Sequence, residues 1–236
     1  MRRKLRFIFS SCLRVFVFSF LSFPAVAETT QPAIDPQLLT SLQAIDAKVA
    51  RVKDLTAAFE QKKFSPLLKK PLISKGTIYA RNTAMLWDTT TPEPTRMRID
   101  GSSLQIYYPS QKRVEQYPIK GKLAAMAANP LPRLDAMLEQ FNITAAPAPQ
   151  PADSKPTLHL VLTPKQDELK QYVKEVHVSI DTDSGLADHF EILDPDGERT
   201  EITFSNQKAD TGVTDDALKL NAPPGTETVQ PLGPVQ

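Results

Sequence analysis

The stretch that decides the fold begins Leu55-Thr-Ala-Ala-Phe59-Glu-Gln61 and runs on through Gly76-Thr-Ile-Tyr79, Leu86-Trp87, Pro92, Pro94 and Ile99-Asp100-Gly101. Leu55, Ala57 and Phe59 alternate with Thr56, Ala58 and Glu60. A period of two marks a half-buried strand. Further strands are predicted over residues 72–81, 84–89, 95–100, 103–109 and 112–118. Asn82-Thr83, Asp100-Gly101 and Ser110-Gln111 separate several of them. Connections this short make antiparallel hairpins, because parallel strands need a long crossover.

Upstream the period is 3.6. Asp35 can cap a helix and Pro36 suits its first position, where a missing N–H costs nothing. Leu38, Leu42, Ile45, Val49 and Val52 then form one apolar stripe, with Gln43, Lys48 and Arg51 on the opposite face. Downstream, the run from Leu123 through Met126 favours helix until Pro130 and Pro132 end it. Leu134, Met137, Leu138 and Phe141 make a second short stripe. The Pro-rich segment 145–156 reads as a stiff loop inside one domain. Strands resume over 157–163, 174–181, 187–194 and 198–207, with hairpin turns at Asp183-Ser184-Gly185 and Asp196-Gly197. The tail from Pro223 is expected to fray. The sum is an α+β fold, mainly antiparallel β: an unclosed barrel of about ten to eleven strands, with helices at 36–53 and 122–142 as its cover.

The N-terminus reads as an export signal. Met1 to Arg6 carry four basic residues, an apolar run extends from Phe7 to Phe23, and Ala25-Val26-Ala27 offers a small-x-small cleavage site. Ser10, Ser11 and Arg14 interrupt the run, which argues against a membrane span; an uncleaved anchor is the competing reading. Cys12 lies too close to Arg6 to be a lipidated cysteine. Three segments follow: 1–27 signal peptide, 28–228 single domain, 229–236 flexible tail. Removing residues 1–27 takes away five basic residues, no acidic ones and the only cysteine, leaving a net charge of −4. Nothing here favours a nucleic-acid partner. Without disulfides, the 209 remaining residues must hold together by a hydrophobic core.

Catalytic motifs are missing. His159, His177 and His189 fall on separate strands, and nothing in the sequence makes them converge on a metal. Asp181-x-Asp183-x-Gly185 and Asp194-x-Asp196-Gly197-Glu198 resemble fragments of calcium loops, but both lack the distant bidentate Glu and both sit where a hairpin must turn. The apolar strand residues Phe59, Ile78, Leu86, Met97, Ile99, Leu104, Ile106 and Tyr108 are the candidate lining of a cargo cavity, or else ordinary core. Leu42, Ile45, Val49, Met126, Leu134, Met137, Leu138 and Phe141 are the candidate lid residues. Methionines suit a lid that repacks around variable apolar guests. Lys62, Lys63, Lys69 and Lys70 make a basic edge, readable as a docking surface or as lysines guarding a strand edge from aggregation.

Over Leu38 to Thr228 the chain resembles the periplasmic lipoprotein-carrier (LolA-like) proteins. The resemblance rests on Ala58-Phe-Glu-Gln61, Gly76-Thr-Ile-Tyr79, Leu86-Trp87, Pro92, Ile99-Asp-Gly101, Leu160-Val-Leu-Thr-Pro-Lys165 and Leu220-Asn-Ala-Pro-Pro-Gly225, in that order. It implies a half-barrel with a helical lid and no enzymatic activity, cofactor or metal. It also implies a periplasmic monomer that shields the acyl chains of a lipoprotein or lipid. Its partners would be an inner-membrane exporter and an outer-membrane receptor. Two alternatives remain open: a lipid-binding sensor or interaction module on this fold, and a carrier for a non-lipoprotein lipid or lipid-linked pigment. In the family an Arg on an early strand latches the lid, and Arg81 is its counterpart by resemblance. The family reads Arg-Pro where this chain has Arg81-Asn82 and one residue fewer before Trp87, so an exposed strand-end Arg is the other reading.

Overall fold

The computed structural model describes residues 34–100, 103–118, 133–147 and 155–231. The signal segment, Gly101, Met126 with its predicted helix, and most of the Pro-rich loop lie outside the described residues.

The first helix, α1 (Pro36–Val49), starts as its sequence predicts: Asp35 Oδ1 accepts from the N–H groups of Gln37 and Leu38 at 2.8 and 2.9 Å. It buries Leu38, Leu42, Ile45 and Val49. Near its other end Lys48 Nζ donates to the carbonyls of Thr182 and Asp183 at 2.5 and 3.1 Å. That contact pins the helix to a distant hairpin turn.

Next come β1 (Asp54–Phe64), β2 (Leu72–Arg81), β3 (Ala84–Thr91), β4 (Thr95–Ile99), β5 (Ser103–Tyr108) and β6 (Arg113–Pro118). A short helix, α2 (Leu134–Gln140), leads directly into β7 (Phe141–Ala145). Then follow β8 (Thr157–Pro164), a single turn α3 (Asp167–Lys170), β9 (Glu175–Asp181), β10 (Ala187–Leu193), β11 (Arg199–Ala209) and β12 (Glu227–Val229). All twelve strands form one sheet in the order β12-β6-β5-β4-β3-β2-β1-β11-β10-β9-β8-β7. Neighbours are antiparallel except β12, which runs parallel to β6. The end strands β12 and β7 do not pair with each other, so the barrel is open.

Two strands were not expected. Phe141, predicted to extend the stripe of the second helix, is instead the first residue of β7, opposite Pro164. Helical spacing carries the pattern as far as Phe141, but Phe141 and Ile143 then bury at a spacing of two, and pairing with β8 decides the matter. The tail predicted to fray contains β12, with Glu227 opposite Arg113. Both strands depend on partners far away in sequence.

Register sorts the two faces. Opposed residues in an antiparallel pair share a face. Ile78, Trp87, Met97 and Ile106 lie opposite one another in turn across β2 to β5. Phe59 lies opposite Phe204 on one side and Gly76 on the other. Phe190 lies opposite Ile202 and Val178, and Val178 opposite Leu160. One apolar inner face therefore runs the length of the sheet. It carries two clusters: one from β1–β6, the other where α1 and α2 meet β7–β10.

The outer face of β2–β6 is crossed by the C-terminal segment. Asp54 begins that path by accepting from the Thr211 N–H at 2.8 Å, the Thr211 hydroxyl at 3.0 Å and the Gly212 N–H at 3.1 Å. Arg96 holds Asp88 through two nitrogens and donates to the Leu220 carbonyl. Leu218 is buried, as are Leu86, Tyr107 and Val114 on the outer face.

Candidate functional site

The inner face of β1–β6 is the candidate site. Phe59, Ile78, Ile99, Leu104, Ile106 and Tyr108 belong to its buried cluster, and Met97 packs against it partly buried. Leu86 does not. It is fully buried but lies opposite Tyr79 and Arg98 on the outer face, so it is withdrawn from the cavity lining. Its neighbour Trp87 takes the inner position. The sequence held a signal for this: Met85-x-Trp87 is apolar at a spacing of two, whereas Leu86-x-Asp88 is not.

Trp87 sits at the centre of an aromatic row. Its ring lies 4.8 Å from Phe59, edge-on, and 5.9 Å from Phe204, which is 6.0 Å from Phe190. The row spans β3, β1, β11 and β10 and joins the two clusters. Trp87, Met97, Ile202 and Phe204 are only partly buried. Apart from Leu186, from the β9–β10 turn, every member of the β1–β6 cluster is a strand residue. Among the described residues no helix contributes to it.

The expected lid residues divide. Leu42, Ile45 and Val49 are buried in the β7–β10 cluster, and Leu134, Met137 and Leu138 pack against it. The described helices therefore lie over the β7–β10 half of the inner face. At the β7 edge they leave a groove of about 690 Å³, with Ile34 and Leu38 facing Leu138, Phe141, Ile143 and Leu158.

Arg81, the latch counterpart by resemblance, meets the C-terminal segment. Its Nη1 lies 2.9 Å from Asp215 Oδ1 in the C-terminal segment, with Arg81 half-buried and Asp215 exposed. Among the described residues it makes no bond to either helix. The pair that joins the helices is Arg133 and Asp46. Arg133 Nε and Nη2 donate to Asp46 at 2.7 and 2.6 Å, and the Leu134 N–H donates to the same carboxylate at 3.0 Å. Asp46 on α1 thus caps α2, and Arg133 holds its carboxyl below the usual range. Sequence reading missed this clasp, because nothing local relates residues so far apart.

At the other end of the inner face Glu115 accepts from Tyr117 at 2.9 Å and from Arg113 at 2.6 Å. Burial and the Glu115 charge push the Tyr117 hydroxyl well above its usual range. This polar rim is small beside the apolar field.

The three histidines have partners. His159 bonds Ser179 at 2.9 Å, His189 bonds Thr203 at 3.1 Å, and His177 bonds Glu175. Asp194, Asp196 and Glu198 gather within 4.8 Å at the β10–β11 turn. Lys63 Nζ lies 2.7 Å from Glu198 and supplies a cation there. Burial, then repulsion by Asp196, pushes the Asp194 carboxyl up to about 6.

The sheet has recognised counterparts. An uncharacterized conserved protein from Thermus thermophilus superimposes with a TM-score of 0.53 at 12% identity, over 82% of this chain and 99% of its own. The lipoprotein LppX of Mycobacterium tuberculosis gives 0.48 at 14%, over 76% and 98%. A LolA superfamily protein from Nitrosomonas europaea gives 0.43 at 11%, over 79% and 98%. At such identities the first likeness concerns the fold alone. No curated protein sequence matches the chain significantly. The model of the family described as outer membrane lipoprotein carrier protein LolA matches residues 50–221, and with that match the chain belongs to the LolA family.

Proposed function

We propose that the chain is an exported carrier. It shields the acyl chains of a lipoprotein or another lipid against the inner face of its half-barrel and moves them between inner and outer membranes. The family that the chain belongs to is described as that of a lipoprotein carrier. The observation that carries the reading is the apolar inner face, continuous across the sheet, with described helices over only its β7–β10 half. A single apolar layer needs a second layer against it. In a carrier, cargo supplies part of that second layer.

The groove at the β7 edge falls within the ~300–1,000 Å³ usual for ligand pockets. Each acyl CH₂ buried contributes about 0.8 kcal/mol, so a sixteen-carbon chain offers roughly 12 kcal/mol gross. Three such chains would exceed the ceiling of about −18 to −21 kcal/mol for non-covalent affinity. A carrier that must release its load has to offset much of this, and opening and reordering a lid is a physical way to do so.

The test is mass spectrometry of lipids that co-purify with the chain from its native envelope, with transfer of that lipid from donor to acceptor vesicles as the second readout. Bound lipid that is transferred supports the proposal. Bound lipid without transfer leaves a sensor, and a chain that binds neither lipid nor a fluorescent apolar probe refutes both.

A further inference from the structure

The four large apolar side chains exposed among the described residues all lie at one place, the tip of the β1–β2 hairpin. Leu67 is 91% exposed, Ile73 44%, Leu72 40% and Leu68 37%. Folding gains nothing from leaving four aliphatic side chains in water, and such a cluster marks a contact surface. Leu72 and Ile73 are adjacent on β2 and point to opposite faces, so the tip is apolar on both sides.

Residues 61–75 contain five lysines and no acidic residue. Three of the lysines are already paired. Lys62 and Lys75 hold Glu60 at 3.2 and 2.7 Å, and Lys63 holds Glu198. The acidic β10–β11 turn, which reaches Pro66 through Gly197, is thus gathered around Lys63. Lys69 and Lys70 are exposed and make no ion pair among the described residues. The tip presents Leu67, Leu68, Leu72 and Ile73 together with two unpaired cations. An apolar insert beside free ammonium groups matches a bilayer whose headgroups are anionic.

We infer that the β1–β2 tip is a membrane-contact element that inserts Leu67 and Leu68 between anionic phospholipids, with Lys69 and Lys70 on their headgroups. The carrier proposal is not required for this, since the tip lies outside the cargo face and can be read without cargo.

The experiment is flotation of the full chain with phosphatidylcholine vesicles, with and without phosphatidylglycerol. Every variant keeps the same N-terminus, so any contribution from residues 1–27 is common to all. Wild type is expected to float with anionic vesicles. Leu67→Ser with Leu68→Ser is expected to lower partitioning by about tenfold or more. Lys69→Gln and Lys70→Gln should each lower it about fivefold, on anionic vesicles only and only at low salt. The lysine variants preserve the test should the double serine variant fold poorly. Wild type that stays unbound, or tip variants that bind as it does, would overturn the inference, including the case where the tip serves a protein partner. Apolar-probe uptake measured on the same samples reports on the cargo reading separately.

Discussion

Replacing Gly76 by Ala should damage the centre of the sheet more than so small a change suggests. A Cβ built at Gly76 would lie 2.1 Å from the Asp88 carbonyl oxygen, 2.8 Å from Thr89 Cα and 2.8 Å from Phe59 Cε1. Two of these atoms are backbone on β3 and cannot swing aside, so β2 and β3 must separate beside the register shift at Lys75/Gly76. The third atom belongs to the Phe59 ring, which must shift within the aromatic row it shares with Trp87. Overpacking costs about 1–3 kcal/mol, and a backbone clash belongs at the upper end. With a urea dependence of about 2–3 kcal/mol per M, the unfolding midpoint should fall by roughly 1 M. Trp87 is the sole tryptophan and reports the transition by its own fluorescence. Removing the ring with Phe59→Ala should not rescue the variant, because the backbone contacts remain. Gly225→Ala is the control: it meets open space but has φ +83°, and strain alone should cost about 1–2 kcal/mol. A Gly76→Ala midpoint within about 0.3 M of wild type, with the slope unchanged, would refute the argument.

The helix clasp makes a second prediction. Arg133→Ala should speed hydrogen exchange of α2 amides about two- to fivefold, as loss of an exposed pair does, while Arg81→Ala leaves those amides unchanged. Asp46 titrates lower in the fold than unfolded, so its contribution is complete above the ordinary value of 3.8 and fades as pH falls below it towards the folded value; exchange at α2 should rise there in wild type and not in Asp46→Ala. Asp194 has the opposite sign. Its folded value of about 6 exceeds the ordinary 3.8, so the fold binds the extra proton between the two and loses stability as pH rises through that window. Asp194→Asn should therefore stabilise the chain at pH 7.5, by about 1 kcal/mol once solvent screening is allowed for, and have little effect at pH 4; urea midpoints at both values check it.

Local pattern determined a good deal. Asp35-Pro36 and the stripe from Leu38 to Val49 specified α1 and its buried side, because capping and a 3.6-residue period act within a few residues. Alternation specified β1, and short turn-forming connections made its neighbours antiparallel. The order of short motifs along the chain pointed to the LolA family, which the family model matches over residues 50–221. Tertiary structure decided what depends on partners distant in sequence. Whether Leu86 or Trp87 faces inwards is a matter of register against Tyr79 and Ile78, and a shift of one residue exchanges them. Phe141 continues a helical stripe, yet pairing with Pro164 makes it a strand. Arg81 meets Asp215, and Arg133 meets Asp46, only because the chain returns across both faces of the sheet. The sequence by itself determined an apolar face; the fold decided which residues line it, which half the described helices cover, and that four aliphatic side chains are left in water at the β1–β2 tip. Periodicity is a local property, whereas register and burial belong to the assembled sheet.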